Sequence, residues 1–313
     1  MIVNSERLSD KKEIAKASDA SGRSKAEFSN SLRSQLGRSA NQMLIDSKIS
    51  VVMPAYNEAK HIVSNLIETV QTLHDCKYNF EVIVVDDGSP DKTYLEAAKL
   101  LSSHPKLVRV VHYDRNRGKG NALACGTHFA TGQYVVFLDA DMDLHPIQLP
   151  VLIEIMMTNN ADIVIGSKRH PASRVNYPEL RKLYSMVYYF FIRLLFKLPV
   201  KDTQTGLKVF KTDALKHVLS FVRSTGFAFD IEALAIAHKL GYKICEAPVT
   251  LDFRRVIGRI KLRDVYDVFV ATLGVYYRIK VKKIGSARSQ EQAPPLHYAA
   301  SEITPDYGRV RSP

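Results

Sequence analysis

The chain is poor in the features that would assign it to several large functional classes. It has only three cysteines, Cys76, Cys125 and Cys245, widely separated in 313 residues. That spacing fits neither a zinc site nor a disulfide framework, and points to a reducing compartment and three small core residues. No apolar segment follows the amino terminus, so no secretory signal peptide is expected. No run approaches the roughly 20 uninterrupted apolar residues of a spanning helix. The glycine cradles that commonly hold phosphates are missing too: there is no Walker A sequence and no Gly-x-Gly-x-x-Gly, and Arg117-Gly118-Lys119-Gly120 reads as a short turn. No serine stands in a nucleophile elbow. Phosphate, if handled here, is expected to be held by metal and cations.

What is present is an ordinary globular balance, 46% hydrophobic and 24% charged, with a formal net charge of +12. That excess predicts an anionic partner. Charge alone supports nucleic acid, which is not expected; phosphorylated substrates and an acidic lipid surface remain. Residues 1–47, rich in Ser, Lys, Arg, Ala and Asp, read as a disordered basic leader. From Lys48 the pattern changes. Ile49 to Met53, Phe80 to Val85, Leu107 to His112, Gln133 to Leu138 and Asp162 to Gly166 are apolar, β-branched runs. Helical patterns separate them, beginning near Glu58, Lys92, Gly120 and Pro146. Regular alternation of near-continuously apolar strands with helices predicts an α/β fold, a mostly parallel sheet covered on both faces.

In such sheets ligands bind beyond the carboxyl ends of the strands. Five polar clusters follow strand ends here: Pro54-Ala55-Tyr56-Asn57-Glu58, Asp86-Asp87-Gly88, Asn116 to Lys119, Asp139 to Asp143, and Gly166-Ser167-Lys168-Arg169. They are expected to share one rim. Asp139-Ala140-Asp141-Met142-Asp143 sets carboxylates on alternate positions, a repulsive arrangement that a divalent cation relieves. Asp139, Asp141 and Asp143 are therefore candidate ligands of Mg²⁺ or Mn²⁺ bridging to a diphosphate. The plainer alternative is an acidic loop before the helix at Pro146. Arg254, Arg255, Arg259 and Lys261 surround Gly258, a loop able to close over a diphosphate.

These residues, in this order, resemble the inverting family-two glycosyltransferases of the GT-A (Rossmann-like) fold, and most closely the polyprenyl-phosphate sugar synthases of the dolichyl-phosphate glucosyltransferase and mannose synthase type. The resemblance covers about Lys48 to Lys282. It implies a UDP- or GDP-sugar donor contacted by Pro54, Tyr56, Glu58, Val85, Asp87, Asp139, Ala140, Asp141, Lys168, Arg255 and Lys261. It also implies a metal on the Asp-x-Asp pair, with Asp143 standing where mannose synthases usually carry Gln. Asp141, Asp202, Arg255 and Lys261 are the implied catalytic set. Asp202 opens a segment similar to the glucosyltransferase Asp-x-x-x-Gly and lies near the acceptor by that resemblance. The implied reaction passes a hexose to a polyprenyl phosphate at the cytoplasmic face of a membrane. A soluble or glycan acceptor, and a non-catalytic sugar-nucleotide sensor, are the competing readings.

A chain without a span must reach such a lipid sideways. Arg181, Ser185, Tyr189, Arg193 and Lys197 recur every four residues through an otherwise aromatic and aliphatic stretch, predicting a helix over 180–198 that lies peripherally in a membrane interface, or one in the core. The expected organisation is a catalytic domain over 48–261 that includes this helix, an amphipathic helix over 262–284 and a disordered tail over 285–313. Asp230 and Glu232 fit two roles: meeting sugar hydroxyls or favouring a helix start.

Overall fold

The structure, a computed structural model, describes residues 47–175, 179–226, 228–251, 262–281 and 304–305. The leader at 1–46, the basic loop at 252–261 with Arg255 and Lys261, and most of the tail lie outside the described residues. Strands β1 (Lys48–Ala55), β2 (Asn79–Asp86), β3 (Val108–His112), β4 (Tyr134–Phe137) and β5 (Ile163–Ser167) alternate with helices α1 (Ile62–Asp75), α2 (Thr93–Ser103), α3 (Lys119–Phe129) and α4 (Leu149–Thr158). The chain continues through β6 (Arg174–Val175), α5 (Glu179–Phe196), β7 (Lys208–Lys211), α6 (Thr212–Leu219), α7 (Phe229–Lys239), β8 (Ile244–Pro248), β9 (Thr250–Leu251), α8 (Leu262–Tyr276) and β10 (Thr304–Pro305). One sheet runs β10-β3-β2-β1-β4-β7-β5-β8. Its β3-β2-β1-β4 block and its β5-β8 pair are parallel, as expected of apolar strands covered on both faces.

Two departures from the expected sheet have plain causes. Pro54 does not close β1; pairing with β2 continues through Ala55. The β4 ladder on the other side has already ended at Val52, so the N–H that proline lacks is not needed there. The second departure is β7, which enters between β4 and β5 antiparallel to both. Alternate strand residues feed two cores. Val52, Ile83, Val85 and Val111 pack with α3, α7 and the inner faces of α5 and α8. Ile49, Val51, Met53, Val82 and Val84 pack with α1, α2 and α4. Each such side chain, fully withdrawn from water, contributes about 1.5–3 kcal/mol.

The aromatic helix forms as expected, over Glu179–Phe196. Ile192 and Phe196 are buried, and Phe191 stacks on Phe269 of α8 at 4.5 Å while Tyr188 meets the same ring edge-on. Its other face is open: Met186, Val187, Phe190 and Leu194 are exposed, as are Val270, Leu273, Tyr277 and Val281 along α8 and the π-helical turn Tyr277–Val281 that extends it. Among the described residues no helix is long and apolar enough to cross a membrane.

One buried carboxylate ties the sheet edge together away from the cleft. Glu81 accepts from Ser50 Oγ at 2.6 Å and from Thr131 N and Oγ1 at 2.8 Å, and pairs with Lys48 Nζ at 3.1 Å. Burial alone would raise its pKa, but these bonds to the ionised form outweigh it, and the net shift is below the ordinary 4.5. A depressed folded-state pKa stabilises the fold above the unfolded value, and that contribution disappears as pH falls through the folded one. Glu81→Gln is expected to lower stability at neutral pH by about 1–3 kcal/mol. In denaturant titrations the gap from wild type should narrow as pH drops below 4.5; a pH-independent gap would refute the ionised role.

Candidate active site

Four of the five polar clusters converge on a cleft of about 410 Å³ beyond the ends of β1, β2 and β4. Pro54, Tyr56, Glu58, Asp87, Asp139, Ala140 and Asp141 line it as the sequence predicted, joined by Ala55, Asn116, Gly118, Lys119 and Gly226. Tyr56 stands at the mouth, 44% exposed. The loop that carries it is held by the next strand end. Asn57 N donates to Ser89 Oγ at 3.0 Å and Glu58 N to Thr93 Oγ1 at 2.8 Å, with Asn57 itself left-handed at φ 59°. Asn tolerates that conformation better than most residues.

Asp86 and Asp87 do different work. Asp86, fully buried, is bonded by Ser89 and by His112 Nδ1 at 2.8 Å, and that bond to the ring raises the His112 pKa against the opposing effect of burial. Asp87 accepts from Tyr113 Oη at 2.6 Å, Arg117 N at 2.9 Å and Gly118 N at 3.0 Å, so it fastens the 113–118 loop onto the rim. Burial and the neighbouring Asp86 raise the Asp87 pKa. Gly118 needs to be glycine: its φ is 94°, and a Cβ would lie 2.6 Å from the carbonyl oxygen of Thr225.

The floor is built by alternation. In Asp139-Ala140-Asp141-Met142-Asp143 the apolar members, Ala140 and Met142, are buried in the α1/α4 core, and the carboxylates keep partial access to solvent. Asn65 Nδ2 anchors the turn from below by donating to Ala140 O at 2.7 Å. Asp139 pairs with Lys119 Nζ at 2.5 Å, each side chain 32% exposed. Burial would push the Asp139 pKa up, but Lys119, with Lys208 and Lys168 behind it, holds it below the usual carboxylate range. Among the described residues no cation pairs with Asp141. Burial, then the charges of Asp139 and Asp143, push it up to about 6, and its Oδ1 accepts from Asp143 N at 3.1 Å.

Several predicted roles take a different form. Val85 does not reach the cleft; strand alternation turns it into the α3 core, where it is fully buried. The three-carboxylate metal set does not stand preassembled, since among the described residues no three acidic, His or Cys side chains gather closely enough to hold a cation. Asp143 donates its backbone N–H to Asp141 Oδ1 at 3.1 Å, and its charge acts on the same carboxylate. Lys168 lies off the cleft wall and meets Asp202, whose Oδ2 accepts from Lys168 N at 2.9 Å with Nζ at 3.6 Å. Asp230 and Glu232 do occupy the first turn of α7, but both are engaged. Asp230 pairs with the buried Lys208 Nζ at 2.6 Å, and Glu232 with Arg278 Nε at 2.8 Å while accepting from Ser224 N at 2.6 Å.

Sequence reasoning passed over two contacts at the floor. The sequence places Lys119 on the rim with the Asn116 to Lys119 cluster, but gives no sign that it pairs with Asp139. Gly206 packs directly under Asp139, and a Cβ there would overlap the carboxylate.

A doubly wound sheet with an acidic and cationic cleft at the carboxyl ends of its strands defines a class, the α/β enzymes that bind ligands at that edge. The glycosyl transferase family 2 profile matches residues 50–219, and the chain belongs to that family. It is 32% identical over 220 residues to an undecaprenyl-phosphate mannosyltransferase of Micrococcus luteus, covering 69% of this chain and 87% of that one. It is 29% identical to a dolichyl-phosphate beta-glucosyltransferase of Dictyostelium discoideum, over 64% of this chain and 65% of the relative. Glycosyltransferase AglD of Haloferax volcanii is 30% identical over 75% of this chain, which spans only 38% of that longer protein. Among solved structures, glucosyl-3-phosphoglycerate synthase from Mycobacterium tuberculosis, in complex with Mn²⁺, UDP and phosphoglyceric acid, shares the fold. Its TM-score is 0.58 at 24% identity, covering 76% of this chain and 81% of that one.

The contact under Asp139 is directly testable. Gly206→Ala should leave the fold intact yet displace the Asp139 carboxylate, lowering kcat/KM for glycosyl transfer on the order of a hundredfold. Circular dichroism would verify folding; wild-type activity in a folded variant would refute the contact.

Proposed function

We propose that this chain transfers a hexose, with inversion, from a UDP- or GDP-sugar to a polyprenyl phosphate at the cytoplasmic surface of a membrane. The observation that carries the donor half is the cleft floor. There Asp139 and Lys119 stand paired beside Asp141, under a tyrosine at the mouth, in a space sized for a nucleotide sugar. Tyr56 offers its ring to the base. Support for the lipid half comes from the exposed apolar faces of α5 and α8 and from the polyprenyl-phosphate substrates in the names of two relatives.

The donor set suits a hard divalent cation. Asp139 and Asp141 would hold Mg²⁺ or Mn²⁺, and the lack of a complete protein cage among the described residues leaves positions for diphosphate oxygens. Such a cation supplies charge neutralisation to the departing diphosphate. In the transfer, a phosphate oxygen of the acceptor forms a bond to the anomeric carbon as the carbon's bond to the diphosphate oxygen breaks. The nucleoside diphosphate leaves with the electron pair. The acceptor oxygen is ionised at neutral pH, so no residue has to take a proton from it. Lys119 offsets negative charge at the floor. By family resemblance Arg255 and Lys261 close over the diphosphate, and Asp202, fixed by Lys168, orients the acceptor side.

The test is release of nucleoside diphosphate from a panel of UDP- and GDP-sugars, with a short polyprenyl phosphate and Mn²⁺. One donor should be turned over in an acceptor-dependent way. Asp141→Ala and metal chelation should each lower the rate by about 10²–10³-fold. Turnover that ignores the polyprenyl phosphate would overturn the acceptor, and turnover indifferent to Asp141→Ala the metal site.

A further inference from the structure

Apart from the donor cleft, a groove of about 840 Å³ runs along the last turns of α5 and the segment that follows it. Phe190, Leu194 and Leu198 supply an apolar wall, and Arg193, Lys197 and Lys201 supply cations; no acidic residue lines it. Phe190 is 59% and Leu194 78% exposed, so the wall faces outward. Neither the Lys197 nor the Lys201 side chain has an ion pair or hydrogen bond among the described residues. Arg193 is held in place by a bond from Nη1 to Tyr189 Oη at 2.8 Å, and Arg169 stacks on the same ring at 4.9 Å.

Lys197 carries a second signal. It ends α5 in the left-handed region, φ 50°, with its N–H bonded to Arg193 O at 3.1 Å. Glycine is the usual occupant of that helix-stop position. A lysine there is strained, and its backbone role gives no reason for the side chain, which lines the groove. Lys77 ends α1 in the same way, at φ 51°, so what sets Lys197 apart is its place in the groove.

We propose that this groove seats the phosphate headgroup and adjoining acyl carbons of an anionic phospholipid of the bilayer, separately from the donor cleft. The proposal rests on the reading that the chain works at a membrane. Its chemistry is specific: free phosphate has no use for Phe190 and Leu194, and a neutral lipid has none for three cations in a groove lined by no acidic residue.

The test is flotation of the full chain, without donor, on phosphatidylcholine vesicles with and without phosphatidylglycerol at moderate salt. Partitioning should rise roughly fivefold per engaged cation, on the order of a hundredfold in all, when the anionic lipid is present. Arg193→Gln/Lys197→Gln/Lys201→Gln should remove most of that gain. Removing Lys77, Lys106 and Lys216, which are exposed elsewhere, should leave the gain largely in place. Lys197→Gly separates a structural role from a binding one: it should raise Tm by relieving the left-handed strain while weakening anionic-vesicle binding about fivefold. Equal partitioning onto neutral and anionic vesicles, equal losses from the two triple variants, or full competition by inorganic phosphate or an acidic peptide would each overturn the proposal. Flotation is independent of the nucleoside-diphosphate release assay, so vesicle binding here with no acceptor-dependent release there would sink the acceptor reading and leave the groove standing. Transfer without anionic-lipid binding would do the reverse.

Discussion

The site depends on balancing buried charge at a sheet edge. Asp139, Asp230 and Asp141 all act on Lys119 through their charges. Without cations their mutual repulsion, in surroundings drier than water, would neutralise them or spread them apart. Two lysines prevent this from different elements. Lys119, opening α3, pairs with Asp139 at 2.5 Å; Lys208, on β7, pairs with Asp230 at 2.6 Å and also acts on Asp139 through its field. Lys208 is only 2% exposed, where an unpaired ammonium is not tolerated. The antiparallel entry of β7 between β4 and β5 is what carries that cation into the middle of the sheet, next to the strand that ends in Asp139. Through Lys208, this reversed strand adds to the field with which Lys119 holds the Asp139 carboxyl below its ordinary range.

The outer helices are linked to the same floor by a chain of bonds. Arg278, at the end of α8, pairs with the buried Glu232 and donates to Ser224 Oγ at 2.8 Å. Glu232 holds the backbone of Arg223 and Ser224, and the next carbonyl, Thr225, accepts from Asn121 N in α3, two residues past Lys119. Gly226 then lines the cleft. A buried ion pair of this kind gains little net stability over an apolar pair of the same shape, but breaking it is costly. Its consequence here is positional: α8 cannot shift without disturbing the wall against which Gly118 packs.

How much of this was legible beforehand follows from what each residue depends on. The parallel strands and the convergence of Tyr56, Asp87, Asp139 and Asp141 were readable because they follow from local patterns: β-branched runs, short connections, polar residues just past each run. Lys208 was not. In Lys-Val-Phe-Lys it looks like a surface lysine, and its burial is decided by Asp230, 22 residues later. β7 was missed for a related reason: four residues are too few to show a period, and their strand character comes from the neighbours on both sides. Glu232 was read by its place at a helix start, whereas its partner Arg278 lies 46 residues further on. Val85 is assigned to the cleft by resemblance, but it lies one step back along β2 inside the α3 core, fully withdrawn from the rim that Asp87 reaches.

The same dependence on partners decides what the aromatic helix is. By composition α5 suits either a core or an interface, because its inner and outer residues are alike in chemistry. The fold separates them. Phe191, Ile192, Leu195 and Phe196 are used up against the first core and α8, which satisfies every requirement a core helix would have. Met186, Val187, Phe190 and Leu194 remain outside, and α8 shows a second outward row at Val270, Leu273, Tyr277 and Val281. A helix apolar on both faces, with only a narrow basic stripe between them, is out of place against water alone. Two such helices stacked through Phe269 bring their outer rows to one packed pair, while the cations of Arg193 and Lys197 lie at the margin of the first row. Inner residues hold the pair to the enzyme; the outer ones have no function that the protein's own interior supplies.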